Sequence, residues 1–511
     1  MLYFVCGMVL LAAGYLLYGR LNERAVRPDP ARPTPARTMA DGVDFVELPT
    51  WRVFLVQLLN IAGLGPIFGP IMGALWGPQV FLWVIFGTVL GGAVHDFLAG
   101  VMSVRNRGAG ISALIGHYLG EPARHLATFF ILVLMVLVGT VFVKAPAKLL
   151  VSMLPAQLVG GWLGLDPATV SGEAWSQAWL WVVMGIVYLY YLLATLLPVD
   201  KLIGRVYPFF AIALLIMVVG LAGFILFGDL QLPAFTLENL HPRGTMAWPI
   251  IFITVSCGAV SGFHSTQSPI MARCLRSEKF LRPVFYGAMI AEGFIALIWA
   301  SAAQGWYGST TALQAALADG GPAGVVHTIC TGTMGTVGGI LAILGVVVLP
   351  ITSGDTAFRV ARLIAAEYAR LDQRPARNRY LIAVPLFGLS LLLQFVDFQV
   401  IWQYFGWANQ TLAAVALWTG AVFLARRGRW WWLAMLPATF MTVMTTTYLM
   451  VAPVGLALSQ RTGTIIGLLV GAAAAAGFLL ARPRLQPESD DAPPALAGPS
   501  EAEREAERVA E

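Results

Sequence analysis

The stretch Asn60-Ile-Ala-Gly-Leu-Gly-Pro-Ile-Phe-Gly-Pro70 decides how this chain is read. It lies in the middle of an apolar run over residues 53–76, which is long enough to cross a bilayer as a helix. Yet it carries two prolines and three glycines. Proline removes a backbone donor and clashes with the preceding turn. Gly63, Gly65 and Gly69 let the chain unwind there. A counterpart follows in the run 248–271, as Ser256-Cys-Gly-Ala-Val-Ser-Gly-Phe-His-Ser-Thr-Gln-Ser-Pro269. In hydrocarbon, backbone groups freed by a break must find protein partners or line a cavity. One break alone reads equally as a Gly/Pro kink at a helix crossing. Two breaks, five spans apart and of opposite direction, form the pattern of an inverted repeat built on discontinuous helices.

The composition agrees. Of 511 residues, 58% are apolar and 12% are charged, and the mean hydropathy is +0.75. An ordinary soluble domain carries about 25% charged residues, so a water-soluble, disordered or collagen-like chain is excluded. Cys6, Cys257, Cys274 and Cys330 sit in or beside apolar runs, without the spacing of a disulfide scaffold or a CxxC metal site. The fold class is an all-α polytopic membrane protein. Thirteen spans are expected, at 2–18, 53–76, 79–101, 125–144, 178–198, 206–228, 248–271, 284–304, 330–353, 380–396, 400–424, 430–452 and 461–481.

Orientation follows from the basic residues. In the thirteen-span arrangement, 28 of the 32 lysines and arginines fall on one side. Only Lys144, Lys148, Arg243 and Arg461 fall on the other. The positive side is cytoplasmic, which predicts an outside N-terminus, a cytoplasmic C-terminus and an inner (plasma) membrane. The expected organisation is an accessory helix over 1–18, a cytoplasmic linker over 19–50, repeats over 51–228 and 229–426, accessory helices over 427–484 and a disordered tail over 485–511. Connections 145–176 and 305–327 have room for short interfacial helices. No segment carries a phosphate-binding loop, GxSxG or HExxH. The chain therefore reads as a non-enzyme with no cofactor, no metal and no nucleic-acid partner.

Ionisable groups inside spans are costly and mark functional sites by default. Asp96 follows His95 near the end of the third span, and either serves function or pairs with Arg105 and Arg107. Glu292 lies deep in the eighth span, as a proton relay or half of an ion pair. Asp355 ends the ninth. With Thr352 and Ser353 it offers hard oxygen donors to a sodium-sized cation, or it caps the helix and pairs with Arg359 or Arg362. His264 stands in the second break. It titrates near neutral pH and can carry a coupling proton or meet a carboxylate, or it is a satisfied buried histidine. Asn409 and Gln410 offer amides in the eleventh span. Half-helix N-termini carry partial positive charge and exposed amides. A substrate carboxylate is thus expected at Gly63, Gly65, Pro66 and Ile67 and at Ser261, Gly262, His264 and Ser265, with Asn409 and Gln410 beside it.

Several stretches resemble the carbon starvation protein A family of membrane transporters. They are Thr34-Pro-Ala, Asp41-Gly-Val-Asp-Phe-Val, Ala62-Gly-Leu-Gly-Pro-Ile-Phe-Gly-Pro, Gly92-Ala-Val-His-Asp-Phe, Cys257-Gly-Ala-Val-Ser-Gly-Phe-His, the Gly-Asp-Thr around Asp355, and Phe405-Gly-Trp-Ala-Asn-Gln-Thr-Leu-Ala-Ala. The resemblance runs from about residue 34 to 425. It implies nutrient uptake under carbon limitation, with peptides as substrate for some members and pyruvate with proton symport for others, on a five-plus-five inverted-repeat fold. The chain departs by its shorter length. It has Val56-Gln57 where members carry paired histidines, and Ser-Thr-Gln-Ser-Pro after His264 where they carry Ser-Gly-Thr-Thr.

The reading is an ion-gradient-driven secondary transporter. Its expected partners are a peptide or small carboxylate, H+ or Na+, and membrane lipid. Asp96, His264 and Glu292, or Thr352, Ser353 and Asp355, would carry the coupling ion. A channel, or a nutrient sensor that binds without coupled flux, is the alternative.

Overall fold

The computed structural model describes residues 1–489 except 43, 155, 163, 165–172, 195–206, 229, 344–348, 370 and 372–374. Among them the chain is helical, with one isolated bridge between Leu48 and Leu275. In chain order the main helices are α1 (Leu2–Val26), α2 (Thr50–Ile61), α3 (Gly65–Trp76), α4 (Val80–Arg105), α5 (Ile111–Leu119), α6 (Glu121–Met153), α7 (Glu173–Ala194) and α8 (Tyr207–Phe227). They continue with α9 (Ile250–Thr254), α10 (Gly262–Ala272), α11 (Glu278–Tyr307), α12 (Thr310–Ile343) and α13 (Leu349–Tyr368). The last are α14 (Ala376–Leu393), α15 (Phe398–Arg426), α16 (Trp432–Val451) and α17 (Gln460–Ala481).

Ten of these are long and apolar enough to cross a membrane, and α2–α3, bent by 47° at its break, is an eleventh. The protein is a multi-pass membrane protein. Of the thirteen expected spans, two fail that test, and a third, 330–353, divides between α12 and α13 with 344–348 outside the described residues. Residues 248–271 are split into the short α9 and α10, and residues 380–396 fall in α14, whose first turn is charged.

Four boundaries differ from the sequence reading. The first helix ends at Val26, not residue 18, because Arg20, Glu23 and Arg24 end an apolar window without ending a helix. α6 continues to Met153 through Pro146, nine residues into the expected connection. α12 begins at Thr310 inside another, and is kinked at Gly321 and Gly335. Thr352, Ser353 and Asp355 lie in the first two turns of α13, not at the end of a span. Asp355 and Arg359 pair at one-turn spacing and bury their charge, so the helix runs on where hydropathy falls.

Local chemistry sets several ends. Asp397 accepts from Gln399 N at 2.8 Å and Val400 N at 3.3 Å to cap α15. Ser459 caps α17 by accepting from Thr462 N at 3.2 Å. Such caps stabilise a helix by about 1 kcal/mol each. The α16–α17 pair packs through Gly463, Gly467 and Gly471, where a Cβ would strike Val451, Thr447 and Val443. Small residues at this spacing let membrane helices approach closely.

The linker after α1 is not free. Arg105 reaches the fully buried Glu278 at 3.2 Å and the carbonyls of Val26 and Arg27 at 3.1 Å. Arg32 joins Glu278 at 2.9 Å. The expected disordered tail begins inside the described residues: Glu488 meets Arg427 at 2.7 Å and its N–H donates to Arg426 O. Residues 490–511, and the charged connection 199–205, lie outside them.

Candidate functional site

The two breaks pack against each other. α2 stops at Ile61, Ala62 leaves helical geometry, and α3 restarts at Gly65 with Pro66 in its first turn. A proline there is tolerated because its missing N–H has no helical partner. In the second break, residues 255–261 separate α9 from α10, and Ser261 is extended before the restart at Gly262. Gly258 takes φ +87°, which favours glycine. A Cβ at Gly258 would meet Ala296 and Pro66, and one at Gly65 would overlap Cys257. These two glycines allow contact between segments nearly 200 residues apart.

A chain of buried titratable groups runs through this contact. On α4, Asp96 Oδ1 meets His95 Nδ1 at 2.7 Å. Its Oδ2 meets Nδ1 of His264, on the first turn of α10, at 3.0 Å. The other ring nitrogen of His264 faces Oε2 of Glu292, on α11, at 3.5 Å. Glu292 Oε1 accepts from Gly258 N in the break at 3.0 Å. The side chains of His95, Asp96, His264 and Glu292 are completely buried. Thr88 Oγ1 donates to Gly258 O at 2.8 Å and holds the break from the other side. Asp96, His264 and Glu292, predicted from three separate spans, thus form one constellation. Asp96 pairs with histidines and not with Arg105, which belongs to Glu278.

The amides take two roles. Asn409 Oδ1 accepts from Phe263 N at 2.7 Å, so it caps α10. Asn409 also bonds Ser261 Oγ at 3.1 Å. Gly262 lies against the Asn409 carbonyl and Ala413 N, with no room for a side chain. Ser265 Oγ donates back to Gly262 O. Gln410 Nε2 donates to Phe252 O at 2.9 Å, tying α15 to α9. Sequence reasoning missed Asn60, the first residue of its own decisive stretch. Both polar atoms of its buried side chain lack a hydrogen-bond partner among the described residues, as do Gln57 Oε1 and Gln267 Oε1. Such groups are rare in a folded interior. The signal was an amide beside a Gly/Pro break.

Gly63, Gly65, Pro66 and Ile67 are all buried at the first break. Ser353 on α13 faces it: a Cβ at Gly63 would lie 3.3 Å from Ser353 Oγ, which has no hydrogen-bond partner among the described residues. Asp355 is 3.5 Å from Arg359. The Thr352 side chain lies outside the described ones.

A cavity of about 530 Å³ approaches the breaks from one end. Met72 on α3 and Thr254 on α9 line it near the breaks, Trp402 and Gln403 come from α15, and His241 and Arg243 lie in its wall. Arg243 was counted in the sequence but not assigned to a site.

These features define a class: a multi-pass helical membrane protein with a buried acid–histidine chain where two broken helices meet. Residues 1–160, 149–308 and 301–448 match the family model described as Carbon starvation protein CstA, and the chain belongs to that family. It is 41% identical over 353 residues to an uncharacterized membrane protein of Haemophilus influenzae, covering 63% of this chain and 95% of that one. It is 27% identical over 564 residues to the peptide transporter CstA of Escherichia coli, covering 87% and 79%. The pyruvate/proton symporter BtsT of Escherichia coli is 29% identical over 337 residues, a match that spans 56% of this chain and 46% of that relative.

Proposed function

We propose that the chain is a secondary transporter driven by an ion gradient, taking up pyruvate-like small carboxylates or peptides under carbon starvation, with protons as the coupling ion. The observation that carries this reading is the Asp96–His264–Glu292 chain at the junction of the two breaks. Family membership supports it, as do relatives named as a peptide transporter and a pyruvate/proton symporter.

The mechanism rests on charge at half-helices. The N-termini of α3 and α10 are partly positive and each opens from one of the two breaks that touch at Gly65 and Cys257, where a carboxylate would be stabilised as at other helix N-termini. Asn409 Oδ1 now takes the Phe263 amide, and a bound carboxylate would compete with it. The tight glycine contacts around Gly65 and Gly262 favour a small carboxylate over a peptide at the break itself. A proton arriving at Glu292 or His264 neutralises the site when substrate adds its negative charge. Residues 51–228 and 229–426 act as two inverted repeats, each opening on a broken helix, and one rocks against the other to alternate access. If sodium couples instead, Ser353 and Asp355 beside Gly63 are its oxygen donors. The basic face carrying Arg105, Arg273 and Arg429 is cytoplasmic in the inner membrane, with the N-terminus outside.

The test is uptake of labelled pyruvate and of a labelled dipeptide by the protein in liposomes, under a proton gradient and then a sodium gradient. Pyruvate accumulation driven by protons alone is expected. Absence of flux of either solute under both gradients would overturn the transporter reading in favour of a sensor.

A further inference from the structure

We propose that Cys257, His264 and Glu292 form a binding site for one divalent transition-metal ion of the zinc class, inside the second break. The donor atoms of these three buried residues all lie within 4.8 Å of one another. Two further observations point to a ligand between them. His264 Nδ1 is engaged with Asp96 Oδ2 at 3.0 Å. When that nitrogen carries the ring proton, Nε2 turns a bare lone pair toward Glu292 Oε2. Neither atom has a hydrogen-bond partner among the described residues, although they stand 3.5 Å apart. Two acceptors facing each other in a buried site require a cation between them, either a proton or a metal.

Geometry and donor type select the metal. Zinc bonds of about 2.0–2.1 Å to nitrogen and about 2.0–2.2 Å to carboxylate oxygen place those two donors roughly 3.4 Å apart in a tetrahedron. The observed separation of 3.5 Å is close to that edge. The Cys257 sulfur lies within 4.8 Å of both donors and donates to Ser261 Oγ at 3.4 Å. As thiolate and carboxylate, Cys257 and Glu292 cancel the two charges of the ion. Asp96 behind His264 is the carboxylate–histidine arrangement that orients a metal ligand. Asn409 Nδ2, 3.8 Å from the sulfur, faces the thiolate as a donor. A soft sulfur with an imidazole favours zinc or cobalt over magnesium or calcium, which take oxygen donors. Three protein donors leave a fourth position open. The cavity lined by Thr254 and Met72 gives an approach to the break.

Where the chain transports by the proposed route, the ion competes with the coupling proton at His264 and Glu292, and zinc inhibits uptake. This second arm rests on the proposed function; binding does not. The probe is Co(II) titrated into the purified full-length chain in a C6S background, which removes the exposed cysteine. One equivalent is expected to give tetrahedral visible bands and a thiolate charge-transfer band, displaced by zinc and not by magnesium. Cys257→Ser loses the charge-transfer band. Glu292→Gln and Asp96→Asn weaken binding about 10- to 100-fold, with size-exclusion profiles confirming folded protein. Identical spectra and affinity in Cys257→Ser and Glu292→Gln, or equal binding of magnesium, would overturn the site. Uptake that is lost in all conditions while cobalt binds as described would refute the transport reading alone.

Discussion

Asp96 is the hub of the buried chain, and its replacement by asparagine is the sharpest test of the arrangement. The carboxylate takes one histidine on each oxygen, His95 at 2.7 Å and His264 at 3.0 Å. Asparagine keeps the shape and one acceptor, but its amide nitrogen is a donor and cannot accept from the second ring. One charge-assisted bond is lost, worth about 1.5–3 kcal/mol, or roughly 10- to 150-fold in the equilibrium that holds His264 in place. Total stability of about 5–15 kcal/mol leaves such a variant folded. Asp96→Ala removes the acceptor of both histidines and leaves a void, with a larger expected loss of about 3–5 kcal/mol. In liposomes, Asp96→Asn is expected to lose at least about tenfold in proton-driven pyruvate uptake, while substrate counterflow without a gradient persists. Asp96→Ala is expected to lower the melting temperature further than Asp96→Asn. Full proton-driven uptake by Asp96→Asn, with unchanged melting, would show that the hub is not part of coupling.

Four other outcomes follow from particular contacts. Gly262→Ala drives a methyl into the Asn409 carbonyl and Ala413 N, both backbone. Overpacking of about 1–3 kcal/mol should lower the melting temperature and abolish transport, and wild-type behaviour would contradict the close approach of α10 and α15. Glu278→Ala removes the carboxylate shared by Arg105 and Arg32, so trypsin should cut after Arg24 or Arg37, neighbouring arginines not followed by proline, faster than in the parent; equal digestion rates would argue against the clasp. Arg243→Gln in the cavity wall should raise KM for a carboxylate without changing kcat, most clearly at low salt, and an unchanged KM would remove it from the entry path. Burial, then the neighbouring Arg426, hold the His117 imidazole below its ordinary value. Its neutral form therefore stabilises the fold above about pH 6.5, and that contribution is lost as pH falls from there through the lower folded value. His117→Gln should flatten the fall in melting temperature between about pH 7.5 and 5.5, and a slope equal to the parent's would refute the assignment.

Much was legible in one dimension because its causes are local. A low charge content demands a bilayer, and Gly and Pro inside an apolar run demand a broken helix wherever that run is placed. Both breaks, the family and the candidates Asp96, His264, Glu292 and Asn409 therefore came from sequence. Helix ends marked by charge did not, since α1 continues through the exposed Arg20 and Arg24, with Glu23 paired to Arg282, and α13 through Arg359, paired to Asp355. Which side chains meet was decided only in three dimensions. His264 reaches Asp96 across 168 positions of chain, and nothing in the spacing tells whether α4 turns that carboxylate toward His264 or toward Arg105. The rotation of each helix about its axis is set by its neighbours, through approaches such as Gly65 on Cys257 and Gly262 on Asn409. Those approaches exist only once the helices are packed, and with them come the capping of α10 by Asn409, the orphaned amide of Asn60 and the gap between His264 and Glu292.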